Sequence, residues 1–174
     1  MREWMPISTS PKGRLAVAAV RAFGPRPFDE VTLGELAAAA HVTTGAIYHH
    51  FGSKIELYSF AREDVERRLL DRMEGAAAAS AGEGGRSAAV NAALLVGFDF
   101  AVRENFLHIL GAPPAGSEAD RLADEISAMT APASPVLGRM LAGAWRAALA
   151  AVAEGFDVGE ARDALGTLEF SIPS

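Results

Sequence analysis

The feature that most constrains this fold is a pair of short helical segments separated by only a few residues. Thr32 and Glu35 form a T-x-x-E capping box, which predicts a helix through LGELAAAA to about residue 40. The next three residues, HVT, leave room only for a tight turn. Thr43 can then cap a second short helix, predicted over residues 44–50. With a further helix before them, these segments make a helix-turn-helix unit.

Helical signals continue along the rest of the chain. Ser10 followed by Pro11 predicts the start of the first helix, and a second box, Ser53 with Glu56, predicts a long helix that opens at Lys54. Further helices are predicted over about 88–110, with a break near Asn105, and over 117–130, 136–153 and 158–170. No strand pattern of period two persists. We therefore expect an all-α protein of about nine helices.

Composition limits the class of protein and its charge limits the partner. Half of the 174 residues are hydrophobic and 22% are charged, which is typical of a globular chain. The absence of cysteine excludes disulfides and thiolate metal sites. Residues 1–60 hold six basic against five acidic residues, and residues 61–174 hold ten against seventeen. A polyanionic partner should therefore meet the first part of the chain.

The beginning of the chain and its apolar runs predict where the protein is located. The first fifteen residues lack the apolar core of a signal peptide. The alanine-rich runs are interrupted by charges or glycine before they reach the ~20 residues of a membrane span. We expect a cytoplasmic protein with no membrane partner.

The second helix of a helix-turn-helix unit enters the DNA major groove with its N-terminal residues leading. Thr43, as the cap, and Thr44, Gly45 and Ala46, in the first turn, are short enough to let that helix approach base edges and thymine methyl groups closely. These residues are therefore candidate DNA contacts.

Longer polar side chains follow one turn later. Tyr48, His49 and His50 offer hydroxyl and imidazole donors for phosphates or bases. Lys54 and Thr32 each lie at a helix start, where free N–H groups attract phosphate. A metal site at the two histidines is disfavoured, because adjacent helical residues point about 100° apart.

The order of these features resembles the DNA-binding domain of TetR-family transcriptional regulators. In that family the unit ends in a Y-x-[HY]-F run followed by a lysine, which correspond here to residues 48–51 and Lys54. The resemblance covers about residues 11–60. It implies that Thr32, His49 and Lys54 contact the DNA backbone, that Thr44, Gly45, Ala46 and His50 face the bases, and that Tyr48 serves either role. Two departures are the prolines of GPRPFDEVT and His41, a position where glycine is usual and the backbone can be left-handed.

The second part of the chain is predicted to bind a small organic effector. Residues 92–110 mix aromatic and polar side chains, which is typical either of a core helix with one wet face or of a cavity wall. Both readings stay open. The candidates for the wall are Phe98, Phe106, His108, Met129, Met140 and Trp145.

The resemblance also implies a homodimer. In similar proteins the last two helices meet their copies in a four-helix interface. The residues expected in or under it are Leu137, Leu141, Ala144, Ala148, Leu165 and Leu168. The alternative is that they close the core of one chain. The predicted domains are residues 8–53 for DNA binding and 54–174 for ligand binding and dimerisation.

Together these patterns predict a ligand-responsive repressor that binds a (pseudo)palindromic operator as a dimer, with no cofactor, metal or catalytic residue. One alternative is a small all-helical enzyme or ligand carrier. No nucleophile–base arrangement supports it, since Asp99 and His108 lie nine residues apart on a predicted helix and so project to different faces. Another is a TetR-like protein that has lost operator binding and acts through protein contacts.

Overall fold

A computed structural model describes residues 9–80, 85–114, 119–168, 170 and 172. Every regular element in these ranges is helical, which confirms the all-α class. The helices are α1 (Pro11–Phe23), α2 (Leu33–Ala39), α3 (Thr44–Phe51), α4 (Lys54–Ser80), α5 (Gly85–Arg103), α6 (Leu107–Gly111), α7 (Arg121–Thr130), α8 (Pro135–Ala153) and α9 (Val158–Gly166). A short 3-10 turn, Phe28–Glu30, lies between α1 and α2.

Helices α1 to α3 pack around a small apolar core. Helices α1 and α2 begin at their predicted caps, whereas Thr43 lies at the predicted cap position of α3 but its side chain accepts no hydrogen bond there. The Ser10 side chain accepts a hydrogen bond of 3.0 Å from the backbone N–H of Gly13. The capping box of α2 is complete. The N–H of Glu35 donates to the Thr32 hydroxyl at 3.3 Å, and the N–H of Thr32 donates to the Glu35 carboxylate at 3.1 Å. The core contains Leu15, Phe23, Leu36 and Ile47, each fully buried.

The turn between α2 and α3 uses a left-handed residue, as the sequence suggested. His41 has a φ of 53°, a conformation that a non-glycine residue adopts only where its surroundings hold it. The N–H of Val42 donates to the carbonyl of Ala37 at 3.0 Å. The Arg14 guanidinium, from α1, donates to the carbonyl of Ala40 at 2.8 Å. These bonds fix the direction in which α3 leaves the turn.

Helix α4 links the N-terminal unit to the rest of the chain. Gly52, with a φ of 85°, ends α3 in a conformation that favours glycine. Ser53 and Glu56 then form the predicted bonds at the start of α4. The predicted apolar line of α4 packs inward, and Ala61, Val65, Leu69 and Met73 are buried. Through it α4 contacts both α1 and α5.

Helices α5 to α9 form the larger bundle, with Trp145 at its centre. Its indole N–H donates to the carbonyl of Leu94 at 3.1 Å, so α8 is fastened to α5. The predicted break near Asn105 is confirmed, because Asn105 has a φ of 57° between α5 and α6.

Two helix bounds differ from the prediction. Helix α7 begins at Arg121 rather than at 117, a position outside the described residues. Helix α9 ends at Gly166 rather than near 170, and Phe170 then packs against the core from an irregular tail.

Two helices are long and apolar enough to cross a membrane by length and composition alone, which the sequence analysis did not expect. They are α5 and α8, whose most apolar windows are 44% and 28% buried within the protein. The core helices of soluble proteins pass the same test. In α5 the apolar length serves the bundle, where Leu94, Phe98 and Phe100 are buried.

Candidate nucleic-acid interface

Helix α3 buries one face and presents the other to solvent. Ile47 is fully buried, whereas the adjacent Tyr48 is 56% exposed. Of the other predicted contacts, Thr43, Thr44, Gly45 and His49 are exposed and Ala46 and His50 are half-buried. The leading edge of α3 and its tyrosine are therefore free to meet a partner.

The two histidines of α3 lie against each other. Their ring centroids are 4.9 Å apart, with the planes at 68° in an edge-to-face arrangement. Each ring keeps nitrogen atoms that can donate a hydrogen bond to phosphate. Among the residues that the structure describes, no cluster of three or more His, Cys, Asp or Glu side chains could hold a metal ion.

The N-terminus of α2 is exposed, but its capping groups are already engaged. The Thr32 hydroxyl donates to Glu35 Oε2 at 3.0 Å. The Glu35 carboxylate also forms an ion pair with Arg26, which partly neutralises its charge. A phosphate approaching Thr32 would therefore meet a paired carboxylate rather than an isolated one.

Lys54 is placed differently from the simple expectation of a free ammonium group. Its Nζ donates to the carbonyl of Phe28 at 2.6 Å and lies 4.1 Å from the centre of the Phe28 ring. The side chain thus fastens the start of α4 to the 3-10 turn. Since an ammonium has three N–H donors, two remain for a phosphate.

Two basic residues of α1 support the site, although the sequence analysis counted them only as charges. Arg14 holds the end of α2 through the carbonyl of Ala40. Lys12 is exposed, with Nζ 5.6 Å from the ring centre of Phe51 and 5.4 Å from that of Phe60. No local pattern could have revealed these contacts, because the partners lie 26 or more residues away in the chain.

The six predicted ligand-wall residues do not share one cavity. Phe98 and Trp145 are fully buried, and Met129 packs against the core. Phe106 and His108 line two different cavities. Met140 was predicted to line the cavity but is 65% exposed, because α8 points the next residue, Leu141, into the core.

Both cavities lie where the N-terminal unit meets the larger bundle. The first, of about 370 Å³, is formed by α1, α4 and the turn between α5 and α6. The second, of about 350 Å³, is formed by the 3-10 turn, Tyr58 of α4, α6 and the end of α8. A backbone hydrogen bond joins α6 to the end of α1, where the N–H of His108 donates to the carbonyl of Gly24 at 2.9 Å.

The predicted interface residues of α8 and α9 are partly buried within their own chain. Leu141 and Leu165 belong to the core, Leu137, Ala144 and Ala148 are half-buried, and Leu168 is 37% exposed. The exposed apolar side chains nearby are instead Val136, Met140, Phe156 and Val158. Along α8, Val136, Met140, Gly143 and Ala147 follow one another at helical spacing and form an exposed stripe.

Two ion pairs involve buried arginines, one within α4 and one between α8 and the residue that caps α7. Arg62 donates to Glu66 at 2.8 Å, with less than a tenth of each side chain exposed. Arg146 donates two hydrogen bonds to Asp120, at 2.6 and 2.7 Å. Burial raises the pKa of the Asp120 carboxyl, but hydrogen bonds from Arg146 and the Ala123 N–H, with the charges of Arg146 and Arg62, outweigh it and leave the pKa below its ordinary value.

The acidic residue considered for an enzymatic role is also engaged. Asp99 accepts hydrogen bonds of 2.7 and 3.0 Å from the Arg162 guanidinium of α9. This pair joins α5 to α9, whereas His108 lies on α6 at the second cavity. The carboxylate and the imidazole therefore have separate surroundings.

Comparison with protein families identifies the N-terminal unit. Residues 15–59 match the family model for bacterial regulatory proteins of the tetR family. This range begins within α1 and ends just inside α4, so it contains the whole helix-turn-helix unit. No curated protein matches the chain.

Solved structures are similar to this chain over nearly its whole length. A TetR-like transcriptional regulator from Rhodococcus sp. RHA1 is 23% identical, with a TM-score of 0.64 over 90% of this chain and 92% of that one. The TetR family repressor AlkX from Dietzia sp. strain DQ12-45-1b is 14% identical, with a TM-score of 0.49 over 92% of this chain and 94% of that one. At this identity the first likeness concerns the fold alone.

Proposed function

We propose that this chain is a TetR-family transcriptional regulator, and specifically a ligand-responsive repressor that binds a (pseudo)palindromic operator as a dimer. The observation that carries this proposal is the outward face of α3, on which Tyr48 is 56% exposed beside exposed Thr44 and His49. The family match gives no support to a helical enzyme or carrier, and we infer that the chain has no catalytic role.

The proposed DNA contacts divide between bases and backbone. Thr44, Gly45 and Ala46 lead α3 into the major groove, where their small size allows close approach to base edges. The side chains assigned to phosphates or bases are Thr32, Thr43, Tyr48, His49, His50 and Lys54. The ammonium group of Lys54 is held at Phe28 and presents its remaining donors in a fixed direction. It is therefore better placed to bind a phosphate than a lysine that moves freely on the surface.

Two copies of α3 have to lie about 34–36 Å apart to enter successive major grooves. Dimerisation through α8 and α9 supplies such an arrangement, and the exposed stripe of α8 supports this choice of interface. The residues that contribute most to it are then the exposed Val136 and Met140, with Leu141 and Leu165 beneath. We accordingly assign residues 8–53 to DNA binding and residues 54–174 to effector binding and dimerisation, in a protein of the cytoplasm.

A selection from genomic fragments tests DNA binding directly. Sheared DNA from the source genome is captured with the full chain, and the recovered fragments are used in mobility-shift titrations at several salt concentrations. We expect a small set of fragments to bind, with affinity that falls steeply as salt rises, because phosphate contacts release counterions. The double variant Tyr48→Ala, Lys54→Ala should bind at least about tenfold more weakly.

The control is Arg121→Ala, which removes an exposed cation from α7, outside the proposed interface. It should bind like the parent protein. If no fragment is retarded at low salt, or if the double variant and the control bind equally well, the proposed function is wrong.

A further inference from the structure

The first cavity contains only one of the six residues that the sequence analysis assigned to the effector, Phe106, and part of its wall belongs to the DNA-binding unit. Its walls are Val17, Val20 and Arg21 of α1, Asp64 and Arg68 of α4, and Phe106 after the α5–α6 turn. Its volume of about 370 Å³ falls within the usual range of small-molecule sites. It is therefore large enough for a medium-sized organic molecule, and both the DNA-binding unit and the larger bundle contribute to it.

The acidic side chains around this cavity have ion-pair partners, whereas one of its arginines has none in the part of the chain that the structure describes. Asp64 is paired with Arg67 and lies 3.7 Å from the guanidinium of Arg68. Glu104, at the rim, lies 3.4 Å from Arg103. Arg21 is exposed at the mouth and has no ion pair with any residue in the described ranges. The cavity thus offers an anion one unpaired guanidinium, while its acids already have partners.

Apart from Asn105, the remaining wall is apolar. Val17, Val20 and Phe106 all line it, and the Arg68 guanidinium lies 5.4 Å from the centre of the Phe106 ring. An apolar body would displace water from these surfaces, and a single negative group would reach Arg21. This combination fits an amphipathic molecule with one carboxylate and disfavours a polar metabolite with several charges.

The position of the cavity connects it to the DNA-binding unit. At the end of α1, the backbone of Gly24 touches the turn so closely that an added Cβ would lie 2.6 Å from the carbonyl oxygen of Asn105. The carbonyl of Gly24 also accepts the hydrogen bond from His108. A molecule that contacts both α1 and this turn would fix the angle between the two parts of the chain. In a dimer this angle helps to set the distance between the two copies of α3, which has to match the spacing of successive major grooves.

We propose that this cavity binds an amphipathic monocarboxylate, with its hydrocarbon part against Val17, Val20 and Phe106 and its carboxylate at Arg21, and that its occupancy weakens DNA binding. The second half of this proposal rests on the proposed function, whereas the first half does not. Coupling between two sites of this kind changes affinity by roughly 5- to 150-fold.

Calorimetric titration of the full chain with decanoate tests the site, and decanol serves as the uncharged control. We expect saturable binding of one decanoate per chain and binding of decanol that is about tenfold weaker, since it lacks the charge-assisted hydrogen bond. Absence of saturable decanoate binding would overturn the proposal, and so would equal affinity for the two compounds.

Two variants and one control locate the binding. Arg21→Gln should weaken decanoate binding about tenfold and leave decanol unchanged. Val17→Phe should weaken both, because the larger ring fills the cavity from a half-buried position. Arg121→Gln removes an exposed arginine from α7 and should change neither. Circular dichroism checks that Val17→Phe is folded. If it is not, Arg21→Gln decides alone, and parental decanoate affinity in that variant places the site elsewhere.

Binding experiments with the selected DNA fragments then distinguish a failure of the cavity proposal from a failure of the proposed DNA-binding function. Saturating decanoate should weaken fragment binding by the parent protein at least about fivefold and have no such effect on Arg21→Gln at the same concentration. If fragments bind but decanoate leaves their affinity unchanged, the coupling is wrong and the proposed function stands. If no fragment binds while decanoate binds as expected, the DNA-binding function fails and the cavity assignment stands.

Discussion

The N-terminal unit and the larger bundle distribute charged and apolar side chains in opposite ways. Within residues 9–53, Tyr48 is the one exposed large hydrophobic side chain, and no charged residue is buried. Beyond residue 130 the described chain exposes five large hydrophobic side chains. Buried charged side chains occur on α4, at Arg62 and Glu66, and on α8, at Arg146. The N-terminal unit therefore exposes little apolar surface, whereas the larger bundle exposes apolar surface of the kind that marks an interaction site.

This difference matches two kinds of partner. A polyanion is bound by exposed polar and cationic groups, which need no large apolar face. A second copy of a chain is held mainly by desolvated apolar anchors. The exposed stripe of α8 and the exposed face of α3 thus suit different partners, and the following variants are ordered from the largest expected effect to the smallest.

Neighbouring residues of α3 should separate stability from DNA binding. Ile47→Ala removes a fully buried side chain and should lower the free energy of unfolding by about 2–5 kcal/mol. Tyr48→Ala removes an exposed one and should change it by less than about 0.5 kcal/mol while weakening DNA binding. Urea denaturation and mobility shift measure the two quantities. A large loss of stability in Tyr48→Ala would show that α3 does not present this face.

The stripe of α8 should decide the oligomeric state. Met140→Glu places a charge on the exposed apolar surface and should raise the dimer dissociation constant by a factor that corresponds to about 2 kcal/mol or more. Ala128→Glu makes the same exposed change on α7 and serves as the control. Sedimentation velocity measures both proteins. If Met140→Glu remains as dimeric as the control, the interface lies elsewhere.

Two arginine–aspartate pairs of similar geometry differ in burial. Arg146 is nearly buried, so Arg146→Gln should lower the free energy of unfolding by about 1–3 kcal/mol. Arg162 and Asp99 are each more than 40% exposed, so Arg162→Gln should have a smaller effect because water screens that pair. Chemical denaturation of both variants tests this order, and an equal loss in the two would contradict it.

The joint at Gly24 should be sensitive to a single added carbon. Gly24→Ala places a Cβ 2.6 Å from the Asn105 carbonyl oxygen, and relieving this overlap should destabilise the protein by about 1–2 kcal/mol. Gly75→Ala, near the C-terminal end of α4, meets no atom within 4 Å and should stabilise the protein by about 0.5–1 kcal/mol. Thermal unfolding compares the two variants. Unchanged stability of Gly24→Ala would show that the contact between Gly24 and Asn105 can widen without cost.

The smallest effect concerns acid stability. Because the pKa of Asp120 is lowered in the folded protein, its ionised form stabilises the fold above about pH 4, and that contribution disappears as the pH falls through the folded-state pKa. Asp120 is partly exposed, so the effect should stay below about 1 kcal/mol. Urea denaturation from neutral pH downward should show a shallower acid dependence in Arg146→Gln than in the parent. Identical slopes would contradict this assignment.

Local signals in the sequence were sufficient for the N-terminal unit. Capping boxes and a proline at a helix start act within four residues of one another, so the bounds of α2 and α3 could be predicted from the chain alone. The outward face of α3 followed from the same periodicity, since Ile47 has to be buried and its neighbour Tyr48 then cannot be. The left-handed backbone of His41 was expected from the resemblance instead, because glycine is usual at that position.

The rest depended on contacts between distant residues. That Lys54 bonds to the carbonyl of Phe28 and that Arg146 pairs with Asp120 could not be inferred, because each pair lies 26 residues apart and no spacing rule links them. Whether Met140 faces a cavity or solvent was decided by which side of α8 packs inward, and that side carries Leu141 and Trp145. The sequence by itself determined the helices and the helix-turn-helix arrangement of the N-terminal unit. The cavities and the exposed apolar stripe were decided by tertiary packing, because they arise where separate elements meet or fail to meet.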